Sequence, residues 1–193
     1  MEELRVYQTT EPLAYYSGTR RVPQTVLILE NKDTFYTMRR WLMGEFSLSG
    51  ESGGKEERVD AAFFPGKIFG REIGTVIYGA GKGILRSSQD FRFCVEPHIN
   101  HPENEILYFG DLDYEGIGIY ERLAALFSTG EETAGRAGRH EIKPFIRAYE
   151  KMMDKARGYG KDFLPDMSGN QNRNLSGLFF RYFSHDTKEA MIQ

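Results

Sequence analysis

The stretch Leu107-Tyr108-Phe109-Gly110-Asp111-Leu112-Asp113-Tyr114-Glu115-Gly116 decides the fold. An apolar run from Ile106 to Phe109 ends in a glycine and two aspartates one residue apart. Beyond Gly116, the residues Ile117, Tyr120, Leu123, Ala124 and Phe127 recur at helical spacing and mark one helix face. The run reads as a buried strand that opens into an acidic turn and then a helix. Residues two apart on an extended segment project to the same side, so Asp111 and Asp113 are expected side by side. Neighbouring carboxylates repel unless a cation lies between them. A hard divalent ion such as Mg²⁺ meets that need, because it takes oxygen ligands and keeps waters for substrate phosphates. Taken singly, an Asp-X-Asp turn is more often a helix-capping device, since Asp caps helices and bonds its own backbone.

A second acidic strand end lies far upstream. Val26-Leu27-Ile28-Leu29 is a short apolar run that stops at Glu30, with the strand spanning Thr25 to Glu30. Asp33 is the expected N-cap of a helix that shows Phe35, Met38 and Leu42 on one face and ends near Gly44. Another strand, Gly74 to Tyr78, leads into Gly79-Ala80-Gly81-Lys82-Gly83. Ile142 to Ile146 reads as an edge strand because of Pro144, with a helix near Tyr149 to Ala156. Strands alternating with helices predict an α/β domain whose Rossmannoid sheet has about four mainly parallel strands flanked by helices. In such sheets functional groups collect outside the carboxyl ends of the strands, so Glu30, Asp111 and Asp113 are expected to converge on one edge.

The expected organisation is a lead-in or linker over 1–24, a catalytic α/β domain over 25–156, and an irregular extension with a C-terminal helix over 157–193. Gly/Ser-rich charged loops are expected over 47–57 and 128–139. The chain has 193 residues and a net charge of −3, which argues against holding nucleic acid by a broad basic surface. Cys94 is the single cysteine, so neither a disulfide framework nor a thiolate zinc site is expected. No apolar run spans a bilayer and no signal peptide is visible, which makes a cytoplasmic location the expectation and leaves membranes out of the partners.

The glycine cluster fits neither the P-loop nor the dinucleotide fingerprint. A glycine turn at a strand end still lets backbone approach a phosphate, so Gly79, Gly81 and Lys82 are candidates for that role beside a purely steric one. His98 and His101 read as surface histidines rather than metal ligands, for lack of a third ligand nearby. Glu115 is expected to favour the helix N-terminus. Arg20-Arg21 and the arginines of 136–139 read as solvated loops. Phe179 to Phe183 reads as core or as a partner surface, and no tyrosine stands out as an activated nucleophile.

Glu30-Asn31-Lys32-Asp33, the Tyr78-Gly79-Ala80-Gly81 turn and Gly110-Asp111-Leu112-Asp113-Tyr114-Glu115-Gly116, in that order, resemble the Toprim domain of topoisomerases, bacterial-type primases and nucleases. Within that superfamily they look most like the C-terminal domain of the JetD family, the nuclease subunits of Wadjet plasmid defence. More distantly they resemble the A subunit of topoisomerase VI. The similarity covers about Thr25 to Phe127. It implies a Toprim-like sheet and a metal-dependent DNA endonuclease in which Glu30, Asp111 and Asp113 bind Mg²⁺, or Mn²⁺ in vitro. Glu30 would serve as general acid/base if metal does not fully engage it. The implied partners are DNA, the other subunits of a condensin-like defence complex and a second copy of the chain. An amino-terminal DNA-binding arm of that family is missing here, so the expectation is a short relative or part of a longer protein.

Lys32 stands where many Toprim proteins have glycine, and no domain carrying a nucleophilic tyrosine fits in 1–24, which argues against strand transfer. The alternatives are a phosphatase of the haloacid-dehalogenase type, whose Asp-X-Asp usually follows the first strand, and a non-catalytic assembly module. Removing Asp111 or Asp113 is expected to leave the fold intact or slightly stabilised, through relief of carboxylate repulsion.

Overall fold

The short apolar runs become strands because each is buried on both faces. A computed structural model describes residues 12–45, 67–128, 140–159 and 173–192. Among the described residues its sheet has five strands: β1 (Tyr15–Ser17), β2 (Thr25–Leu29), β3 (Ile73–Tyr78), β4 (Glu105–Phe109) and β5 (Ile142–Pro144). They lie in the order β1-β3-β2-β4-β5. β3, β2, β4 and β5 are mutually parallel, and β1 runs antiparallel on the β3 edge. The domain is therefore α/β with a mixed, mostly parallel sheet of Rossmann-like form.

Six helices are described: α1 (Lys32–Leu42), α2 (Gly83–Ser87), α3 (Phe91–Cys94), α4 (Tyr114–Ser128), α5 (Ile146–Tyr159) and α6 (His185–Ile192). Alternation along the strands divides the core into two layers. Val26, Ile28, Ile106 and Tyr108 face α4, α2 and α3. Leu27, Leu29 and Leu107 face Phe35, Met38 and Trp41 of α1 and Phe145 and Ala148 near the start of α5. Full burial of such side chains stabilises by about 1.5–3 kcal/mol each.

The chain leaves β2 through α1 on one face and leaves β4 through α4 on the other, while β2 and β4 are neighbours. That makes the gap between their carboxyl ends the topological switch point, the usual ligand position in open α/β sheets. The ladder is in register there, with Leu29 opposite Phe109, and the Glu30 N–H still donates to the Phe109 carbonyl at 3.1 Å.

Three details differ from the sequence expectations. The sheet has a fifth strand, β1, in the stretch read as lead-in. Its link to the sheet is tertiary: Ser17 Oγ lies 2.8 Å from Thr75 Oγ1 and 3.0 Å from His98 Nε2, and Thr75 donates to Gln24 at 2.7 Å. The α1 N-cap is Asn31, whose Oδ1 accepts from the N–H groups of Asp33 and Thr34, so Asp33 is inside the helix. β5 ends at Pro144 and α5 begins at Ile146, before the expected Tyr149. The expected loop over 47–57 and nearly all of that over 128–139 lie outside the described residues. Phe179 of the Phe179–Phe183 group is fully buried and packs against Tyr120 and Tyr149. No helix among the described residues is long and apolar enough to cross a membrane.

Candidate functional site

The sheet order brings Glu30 beside Gly110 and Asp111, because Glu30 follows β2 and the glycine follows β4. Glu30 Oε2 accepts the Tyr108 hydroxyl at 2.8 Å and the Asp111 N–H at 3.2 Å. Tyr108 is fully buried, so its hydroxyl needs a partner inside the fold. Gly110 leaves the room for this arrangement, since a Cβ there would collide with Glu30 Oε2 and lie 2.7 Å from the Tyr108 hydroxyl. The Gly110 N–H donates to the buried Tyr149 hydroxyl at 2.9 Å.

Asp111 and Asp113 do not share a pleated strand. β4 stops at Phe109, and 112–113 form a bend that leads into α4. Asp113 precedes α4, and its Oδ1 accepts the Gly116 N–H at 2.7 Å, the bond of a helix N-cap. A Cβ on Gly116 would collide with the Asp111 carbonyl oxygen, so the turn closes only over glycine.

Burial lifts the Glu30 carboxyl above its ordinary value; the Tyr108 hydroxyl and the Asp111 N–H pull it back, and the charges of Asp111 and Asp113 push it up again. Burial, and next the Asp113 charge, likewise raises Asp111. Tyr108 is raised far above the ordinary phenol range by burial and then by the Glu30 charge. It therefore stays a neutral donor. Glu30 thus feels the charges of Asp111 and Asp113, and Asp111 that of Asp113, at the switch point. Among the described residues, no three or more His, Cys, Asp or Glu side chains are grouped closely enough to hold a metal ion. Here Glu30 is held by hydrogen bonds and Asp113 by its helix. A small cavity of about 160 Å³, lined by Asn31, Thr34, Phe109, Gly110, Asp111 and Met152, opens beside Asp111.

The glycine turn lies next to this edge. The Gly79 N–H donates to the Leu29 carbonyl at 2.7 Å, and a Cβ on Gly79 would sit 3.2 Å from that oxygen. Ala80 and Gly81 take left-handed φ values of 49° and 59°. Lys82 caps the short α2 and pairs with Glu115 at 3.0 Å. This geometry accounts sterically for Gly79 and Gly81 and gives Lys82 an acidic partner in the first turn of α4.

The histidines have structural partners: His98 holds Ser17, and His101 Nδ1 accepts the Glu103 N–H at 3.3 Å. Sequence reasoning missed Tyr108 and Tyr149. For Tyr108 the available signal was a tyrosine within an otherwise apolar buried strand, because its hydroxyl must be satisfied within the core. A comparison with models of known protein families finds no match to this chain, and a comparison with curated proteins finds no significant relative.

Proposed function

We propose that the chain is a divalent-metal-dependent phosphodiester hydrolase of Toprim type that cleaves DNA. The observation that carries this reading is Glu30 beside Asp111 at the β2–β4 switch point, where the Asp111 N–H donates to Glu30 Oε2 at 3.2 Å and the nearby Asp113 charge acts on both carboxyls. The donor chemistry suits Mg²⁺ or Mn²⁺, which takes hard oxygen ligands and needs only one or two carboxylates beside waters and substrate phosphates. Asp111 and Glu30 would hold the ion, with Asp113 adding charge beside them. When bound, such an ion stabilises charge on phosphoryl oxygens and lowers the pKa of a water. The chain's own groups supply the rest. Tyr108 and the Asp111 N–H fix Glu30 through Oε2, which would leave Oε1 for the ion or, where the ion does not engage it, for proton exchange with an attacking water or a leaving oxygen. The motif order extends the proposal to the JetD family of plasmid-defence nucleases. DNA and the subunits of a condensin-like complex are then the partners, with a second copy of the chain completing a dimer.

One observation favours a second reading, a non-catalytic assembly module: Asp113 is engaged in capping α4. Calorimetry with Mn²⁺ and Mg²⁺, followed by a plasmid-nicking assay, separates the two. The nuclease reading expects binding and Mg²⁺-dependent nicking that both vanish in Asp111→Ala. Nicking unchanged in that variant would falsify it. Ion binding without nicking, in the presence of the partner subunits, would support the assembly module.

A further inference from the structure

A cavity of about 560 Å³, within the range of about 300–1,000 Å³ spanned by small-ligand pockets, begins at Tyr114, the residue after Asp113. Its walls include Tyr114, Gly118 and Arg122 of α4, Lys82 at the start of α2, and Asn174 and Ser176 of the C-terminal segment. The two acids that border it already have partners. Glu115 pairs with Lys82, and Glu121 accepts the N–H groups of Ser176 at 2.6 Å and Phe179 at 3.3 Å. Arg122 is anchored through Nε to the Gly118 carbonyl at 3.0 Å, which holds its guanidinium near the cavity floor. Arg173 lies over the Tyr114 ring at 5.6 Å, so one face of that ring already receives a flat, cationic group.

Gly118 is the informative residue. A glycine inside a helix is unfavourable relative to alanine, and no contact among the described residues demands one here. A Cβ at Gly118 would meet only ordinary contacts, Leu175 at 3.8 Å and Arg122 at 4.0 Å, whereas one at Gly116 would collide with backbone. Gly118 therefore leaves part of the cavity floor bare, where a group can approach the helix backbone closely.

We propose that this cavity seats one nucleotide of a DNA single strand, with its base stacked on Tyr114 and its phosphate met by Arg122 and Lys82. Aromatic platforms flanked by cations are how proteins hold single strands, and a guanidinium can take a phosphate through two parallel hydrogen bonds. The Lys82–Glu115 pair is exposed, at 62 % and 43 %, so exchanging its partner for a phosphate is inexpensive. A base in a duplex is already stacked and reaches such a ring only by leaving its pair, which makes a single strand the occupant. The choice of DNA rests on the nuclease reading above; the cavity, its stacking ring and its cations do not.

The test is fluorescence anisotropy of a labelled oligothymidylate with the full chain in EDTA, where metal binding plays no part. The variants are Tyr114→Ala, Gly118→Leu, which fills the floor with a good helix former, and, as a control cation on α1 across the sheet, Arg40→Ala, each checked for native melting. Binding weakened on the order of tenfold or more in the first two, and kept in Arg40→Ala, is the expected result. No binding by the natural chain, or equal affinity in a folded Gly118→Leu, would overturn the proposal. So would duplex DNA or free thymidylate binding at the Tyr114-dependent site in preference to the oligonucleotide. Failure of the nuclease reading shows up elsewhere, as nicking that survives Asp111→Ala.

Discussion

Tyr108 holds the Glu30 carboxylate from inside the sheet, and Tyr108→Phe removes the donor while keeping the ring. The expected loss is about 1–2 kcal/mol, because a half-buried carboxylate loses a hydrogen bond; an unchanged urea midpoint would show the bond to be idle. Glu30 and Asp111 set the pH dependence. Each has a folded pKa above its ordinary value, 4.5 and 3.8 respectively, so the folded state binds protons more tightly than the unfolded chain. Stability from these groups is therefore present below those ordinary values and is lost as pH rises through the raised ones. Asp111→Asn should flatten that fall and raise the neutral-pH melting temperature, by a gain of up to about 0.5 kcal/mol, the scale of a surface substitution. Melting curves recorded from pH 4 upward check both sign and slope. The acids themselves were legible because they end apolar runs. Their tyrosine partners were not, because a hydroxyl bond between residues 78 positions apart leaves no local pattern.

At the scale of elements, α4 changes what is expected of Asp113. Relief of repulsion alone predicts that removing either aspartate is neutral or stabilising. That still holds for Asp111, whose side chain caps no helix among the described residues. Asp113 is the α4 N-cap, and loss of such a cap costs about 0.5–2 kcal/mol. Asp113→Ala should therefore lower the urea midpoint while Asp111→Ala does not, and Asp113→Ser should recover most of the loss. Equal midpoints for the two alanine variants would contradict the capping role. The same competition between neighbours moved the α1 cap from Asp33 to Asn31, since both residue types cap well and only the backbone turn selects one. The edge strand β1 escaped the sequence reading for a different reason. Three residues carry too little periodicity, and their place is fixed by Thr75 and His98, far away in the chain.

For the whole molecule, Glu121 joins the C-terminal segment to the sheet layer. It is buried on α4 and accepts two backbone N–H groups from around Ser176 and Phe179, next to the cluster of Phe179, Tyr120 and Tyr149. Glu121→Ala leaves those donors unsatisfied and should cost about 2–3 kcal/mol. Limited proteolysis would then cut the segment after 173 faster than in the natural chain, and an unchanged cleavage rate would refute the tie. By itself the sequence determined the α/β class, the four parallel strands and the acidic ends of two of them. Each of these is a local matter of hydrophobic period and chain punctuation. Only the tertiary structure decided that β2 and β4 are neighbours, that their ends form the switch point, and that Asp113 serves α4 while Glu30 leans on Tyr108. Parallel pairing joins segments about 80 residues apart, and strand order follows from how helices cover the two faces, which no short stretch of sequence records.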